Sequence, residues 1–136
     1  MLTPSDAERI VRRFEDDYMA AFDRRDARGL AALFIESATI VTEWGDVVKG
    51  RDVFAHGLAN AFERIPHTLT LVNRPTHAAP IADDVIVSHG TSCKRDQSTG
   101  AEERLVFTRV LVRREGEWKL AANHVSVPST QPDPRG

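Results

Sequence analysis

Every stretch with helical spacing in this chain lies before Pro66, and every regular stretch after it reads as strand. In the first half, apolar residues recur at three- and four-residue steps. Ile10, Val11, Phe14, Tyr18, Ala21 and Phe22 form one such series, and Val53, Phe54, Leu58, Ala61 and Phe62 form another. In the second half, apolar and β-branched runs cover 67–74, 84–95, 103–114 and 117–127. They are separated by Pro75 and Pro80, by the polar 96–100 stretch and by Glu115-Gly116. Helices that do not alternate with the later strands cannot serve as crossovers of a parallel sheet, so the order implies an α+β fold.

Local signals place the elements. Ser5-Asp6-Ala7-Glu8 reads as a capping box that starts the first helix, with Arg9, Arg12, Arg13, Asp16 and Asp17 on its polar side. Asp26 can cap a short second helix carrying Leu30, Leu33 and Phe34. Ala38 to Thr42 is a β-branched run, Trp44-Gly45-Asp46 reads as a turn, and Val47-Val48 returns, which predicts a small hairpin. A third helix is expected over 51–62. With 136 residues the chain suits one domain, expected over 1–127, and the proline-rich stretch 128–136 is predicted to be disordered.

Composition narrows the function classes. A net charge of −2 argues against nucleic acid, which selects a basic face, and the arginines are interleaved with acids. No apolar run approaches the roughly 20 residues of a membrane helix, and no basic-then-apolar leader opens the chain, so no membrane partner and a cytoplasmic location are expected. Cys93 stands alone, and His56, His67, His77, His89 and His124 share no ligand-like spacing, so no metal site is predicted.

The succession of helix, short helix, strand pair, helix and long meander, with Ala-Leu-Phe-x-x-x-Ala-Thr at 32–39 and Arg-Arg-x-Gly-x-Trp at 113–118, resembles the nuclear transport factor 2-like superfamily. The likeness is to its SnoaL-like and ketosteroid isomerase-like branch, over roughly residues 5–127. The resemblance implies a cone: a curved antiparallel sheet wrapped around the helices, with a ligand cavity inside and homodimers formed through the outer sheet face. It also implies a choice of activities, since members include isomerases, polyketide cyclases, epoxide hydrolases, dehydratases and plain binding modules.

Ketosteroid isomerases use a helix tyrosine as oxyanion donor, an aspartate base and a protonated aspartate on a late strand. By resemblance Tyr18 stands at the donor tyrosine, whereas Thr42 stands at the base and Thr108 at the second acid. An unactivated hydroxyl cannot abstract a carbon-acid proton near neutral pH, so a standard ketosteroid isomerase is not expected. Glu43 and Asp46 are the remaining carboxylates expected near the cavity mouth.

The last hairpin sets which side chains look inward. A two-residue Glu115-Gly116 loop pairs Arg114 with Glu117 and, counted outward without interruption, Thr108 with Asn123 and Phe107 with His124. Family register favours Val106, Thr108, Val110, Ala121, Asn123 and Val125 as the cavity face, and a β-bulge would exchange assignments. Both faces are largely apolar, which suits a cavity on one and a second subunit on the other. The expected catalytic residues are Tyr18 and His89. The expected ligand contacts are Trp44, Thr42, Thr108, Asn123 and His124. The interior is thus expected to present neutral hydroxyls, amides and imidazole, without ionised carboxylates. The function that follows is binding of a small, mainly apolar molecule, with cofactor-free isomerase, cyclase or dehydratase chemistry as an option. The alternative is a non-catalytic dimerisation or interaction module.

Overall fold

The computed structural model describes residues 1–129 and 134–135; the expected tail over 128–136 falls largely outside the described residues. Three helices, α1 (Pro4–Asp23), α2 (Ala27–Ala31) and α3 (Arg51–Arg64), share the chain with six strands. These are β1 (Phe34–Val41), β2 (Val47–Lys49), β3 (Leu69–Ala82), β4 (Val85–Asp96), β5 (Glu102–Arg114) and β6 (Glu117–Ser126). The strands form one curved, unclosed sheet in the order β2-β1-β6-β5-β4-β3, the α+β architecture expected from the element order.

Helix α1 begins earlier than the Ser5 box implied. Thr3 is the N-cap: its hydroxyl accepts the Asp6 N–H at 3.0 Å, the Asp6 carboxylate accepts the Thr3 N–H at 3.0 Å, and Pro4 occupies the first turn, where its missing N–H is harmless. Asp26 caps α2 as anticipated, accepting the Gly29 N–H at 2.9 Å. Phe34, expected in that helix, instead opens β1 and stacks on Phe54 of α3 with ring centroids 4.6 Å apart. Val11, Phe14 and Phe22 of α1 join Leu30, Phe34, Ile40, Leu71, Ile86, Leu111 and Leu120 in one buried core between helices and sheet.

Two features of the sheet depart from the expectation. β1 pairs with β6 in parallel, so the sheet is mixed. β3 also runs straight through Pro75 and Pro80, which the sequence pattern marks as breaks, and pairs with β4 from Leu69 to Ala82 with shifts near Thr76 and Ile81. The reason is position: β3 is an edge strand, where proline's missing N–H can face away from the ladder.

The β5–β6 hairpin turns at Glu115 and Gly116, both with positive φ, and Arg114 faces Glu117 as predicted. The register then slips. Val110 pairs with Ala122 and Leu111 with Leu120, leaving Ala121 as the extra residue of a bulge. Beyond it Thr108 faces His124 and Arg109 faces Asn123, which corrects the uninterrupted count. Leu105, Phe107, Arg109 and Leu111 are the buried side of β5, while Val106 and Thr108 are exposed.

Candidate functional site

The bulge in β6 turns Asn123 to the buried side, opposite Arg109 of β5. Arg109 is only 3% exposed, and its guanidinium carbon sits 4.1 Å from the Phe107 ring centroid and 4.6 Å from that of Tyr18, between two aromatic faces that favour a cation. Its charge is met by Glu15 of α1, itself 1% exposed. Glu15 Oε1 accepts from Arg109 Nη2 at 3.1 Å and from Asn73 Nδ2 of β3 at 3.0 Å, and Oε2 lies 2.9 Å from Arg109 Nε, off the hydrogen-bonding line. Met19 Sδ accepts the Asn73 backbone N–H at 3.3 Å, so both ends of this residue are anchored to α1.

Burial pushes the Glu15 carboxyl above the ordinary carboxylate value, while the Arg109 charge and the hydrogen bonds from Asn73 and Arg109 pull it back down without cancelling the shift. The Tyr18 phenol is likewise raised by burial, against the pull of Arg109, and stays protonated at neutral pH.

Arg109 and Asn73 form the floor of a hollow of about 190 Å³ together with Tyr18 and Asn123. Its walls include Phe22, Ile40, Leu71, Leu105 and Phe107, and its lining also takes in Phe54 and Leu58 of α3, Thr42, Glu43, Ser92 and Lys94. The volume is below the usual small-ligand range of about 300–1,000 Å³ and somewhat above the cavity of about 150 Å³ that accepts benzene. It therefore suits one ring with a short substituent.

Three buried polar atoms at this floor lack partners among the described residues: Arg109 Nη1, Asn73 Oδ1 and Asn123 Oδ1. Buried polar groups are nearly always satisfied by protein, water or ligand, and these three belong to residues that line the hollow. Larger clefts run along the charged side of α1 and between α1 and the β5–β6 hairpin. Neither is lined by a buried unpartnered polar side chain among the described residues.

Of the residues expected from sequence, Tyr18, Thr42 and Asn123 line the hollow. The Thr42 hydroxyl also accepts the Asp46 N–H at 3.3 Å, bracing the β1–β2 turn. The others lie elsewhere. Trp44 is 79% exposed in that turn. His89, Thr108 and His124 are exposed on the outer sheet face in a cross-strand row with His77: His77 pairs with His89, His89 with Thr108, and Thr108 with His124. His89 Nδ1 is 3.0 Å from the Thr108 hydroxyl. His89 faces out because the alternate set of β4, Ile86, Ser88 and Gly90, is the buried one.

The expectation of an interior without ionised carboxylates is overturned by Glu15, buried in an ion pair with Arg109, and Glu43 lines the hollow itself. A signal for it was present: Glu15 is four residues after Val11 and three before Tyr18, on the apolar stripe of α1. Arg109 had the matching signal, a lone charge between Phe107 and Leu111 at period two.

A family model described as a SnoaL-like domain matches residues 11–130. No curated protein matches the chain. Among solved structures, a domain of unknown function with a cystatin-like fold from Nostoc punctiforme superposes with a TM-score of 0.82 at 18% identity, covering 94% of this chain and 81% of that one. Aln2 from a Streptomyces species gives a TM-score of 0.80 at 19% identity, with 93% and 94% covered. A ketosteroid isomerase-like protein from Erwinia carotovora atroseptica gives 0.67 at 16% identity, with 88% and 95% covered. At these identities the likeness is one of fold.

Proposed function

The chain belongs to the SnoaL-like domain family, and on that premise we propose that it binds one small, mainly apolar molecule in the hollow between α1, α3 and the sheet. The observation that carries this reading is the set of three buried, unpartnered polar atoms on Arg109, Asn73 and Asn123, residues that line a hollow with largely aromatic and aliphatic walls. The ligand's apolar body occupies the aromatic and aliphatic walls, and its polar end replaces the missing partners.

Chemistry at this site would begin from a fixed cation. Arg109 Nη1 is preorganised to stabilise negative charge developing on a ligand oxygen, without reorganising at the moment of reaction. Glu15 is engaged by two donors behind the guanidinium, so proton transfer falls to Glu43, which lines the hollow and has no hydrogen bond or ion pair among the described residues. An isomerase, cyclase or dehydratase step is compatible with that pair of groups.

The outer sheet face supports a homodimer in the same reading. Val72 and Val106 are exposed there, beside half-buried Val87 and Val110. Native mass spectrometry of protein purified from the cells that make it tests the ligand. One bound small molecule per chain is expected, lost in Leu58→Trp, which fills the hollow. Ligand-free protein that also gives no NMR shifts with benzene-sized probes would sink the reading.

A further inference from the structure

The unpartnered atoms at the floor differ in hydrogen-bonding sense. Arg109 Nη1 can only donate. Asn73 Oδ1 can only accept, and the amide cannot turn over without cost, because its Nδ2 is committed to Glu15. Asn123, the cross-strand neighbour of Arg109, has no hydrogen bond among the described residues that fixes which end of its amide is presented. Asn73 and Arg109 bond the same carboxylate oxygen, and both residues line the hollow. Charge is already balanced, since the guanidinium faces the Glu15 carboxylate with both groups almost fully buried, and the lining adds one charge of each sign in Glu43 and Lys94, the latter paired with Glu103 at 3.8 Å.

A buried arginine at the floor of a hollow suggests an anion site, yet this surrounding argues the other way. A carboxylate would bring acceptors against the fixed Asn73 amide oxygen and add a second negative charge to a buried group holding one of each sign. A simple ketone would satisfy Arg109 and leave the Asn73 oxygen bare.

We propose that the hollow selects a neutral ligand head that carries an acceptor with an N–H or O–H donor beside it, as a carboxamide or an α-hydroxy ketone does. Glu15 is the positioning residue that sets this preference, by neutralising Arg109 and turning the Asn73 carbonyl inward. The inference rests on the hollow being a small-molecule site. The upward push on the Glu15 carboxyl runs the same way: burial already favours its neutral form, and an entering anion would favour it further.

Isothermal titration of the full chain with benzamide, benzoate and acetophenone, which share a ring and differ in the head, tests the idea near neutral pH. Benzamide is expected to bind at least about tenfold more tightly than either of the others, the factor one properly paired buried hydrogen bond supplies. Glu15→Gln keeps an acceptor oxygen for Asn73 and removes the countercharge, so it should shift the benzamide-to-benzoate ratio about tenfold toward benzoate. A purely structural role for Glu15 would weaken all three probes together.

Should that variant fail to fold, benzoate titrated into the unaltered protein in buffers of different ionisation enthalpy gives a second reading, with uptake of about one proton per benzoate expected. Benzoate binding as tightly as benzamide without proton uptake would overturn the inference and leave a small-molecule site of anionic preference. Acetophenone matching benzamide would overturn the role of the Asn73 amide oxygen. Silence from all three probes, together with ligand-free protein in native mass spectrometry, would remove the underlying reading as well.

Discussion

Replacing Glu15 by Ala leaves the Arg109 guanidinium buried without its counter-ion and takes the acceptor from Asn73 Nδ2. Breaking a buried ion pair from one side costs about 3–5 kcal/mol, and the orphaned amide donor adds about 1 kcal/mol, for a total near 4–6 kcal/mol. A chain of this length has about 7–20 kcal/mol of stability in all, so the variant should fold and melt roughly 12–24 °C lower. Circular dichroism during urea and thermal denaturation measures both quantities.

The decisive comparison is Glu15→Met combined with Arg109→Leu. With both charges gone and the volume kept, stability should return to within about 2 kcal/mol of the original or exceed it, because neither ion then needs desolvating. A loss below about 1 kcal/mol in Glu15→Ala, or a double variant less stable than either single one, would refute the account of a dry, mutually dependent pair. The pair also has a pH signature. The fold raises the Glu15 carboxyl above its unfolded value, so this group favours the native state at low pH and that contribution declines as pH rises from the ordinary carboxylate value through the raised one.

Further outcomes are expected. In Gly90→Ala the new methyl group would collide with the Arg74 carbonyl and the Phe107 ring, pressing that ring toward the hollow; a loss of about 1–3 kcal/mol in urea melts and weaker benzamide binding should result. Asn123→Leu removes a buried unpartnered oxygen and should raise Tm by a few degrees, about 1 kcal/mol, while abolishing benzamide binding in titrations. The Asp6 carboxyl in the α1 capping box is held at about 2, so its contribution to stability is present above 3.8 and lost as pH falls through about 2; the stability gap between the natural chain and Asp6→Asn should close over that interval. Val106→Arg places a charge on the outer sheet face and should abolish the proposed dimer in light scattering, leaving the melting curve of the monomer unchanged.

The fold was legible because its signals are local and repeated: helical spacing before Pro66, strand runs after it, Asp26 as a cap and Glu115-Gly116 as a two-residue turn. The strand limits were less so. Pro75 and Pro80 look like breaks until β3 is known to be an edge, which is a fact of tertiary arrangement. The site was half legible. Tyr18, Thr42 and Asn123 line the hollow as their sequence positions suggest, whereas Thr108, His89 and His124 face outward. One extra residue at Ala121 decides the relation between β5 and β6, and an alanine among apolar neighbours gives no sign that it will bulge. Both faces of the strands are nearly equally apolar, so the pattern that normally fixes orientation was absent. Glu15 and Arg109 could have been paired as single charges on apolar stripes, but only their 94-residue separation closing in space makes them partners.

The two rims of the sheet end differently from its middle. One is a three-residue strand, β2, and the other, β3, carries two prolines and two register shifts. Neither offers the long uninterrupted row of free backbone groups on which another chain could grow ribbon upon ribbon. Growth of the sheet by pairing with another chain at either rim is thereby discouraged by the backbone itself.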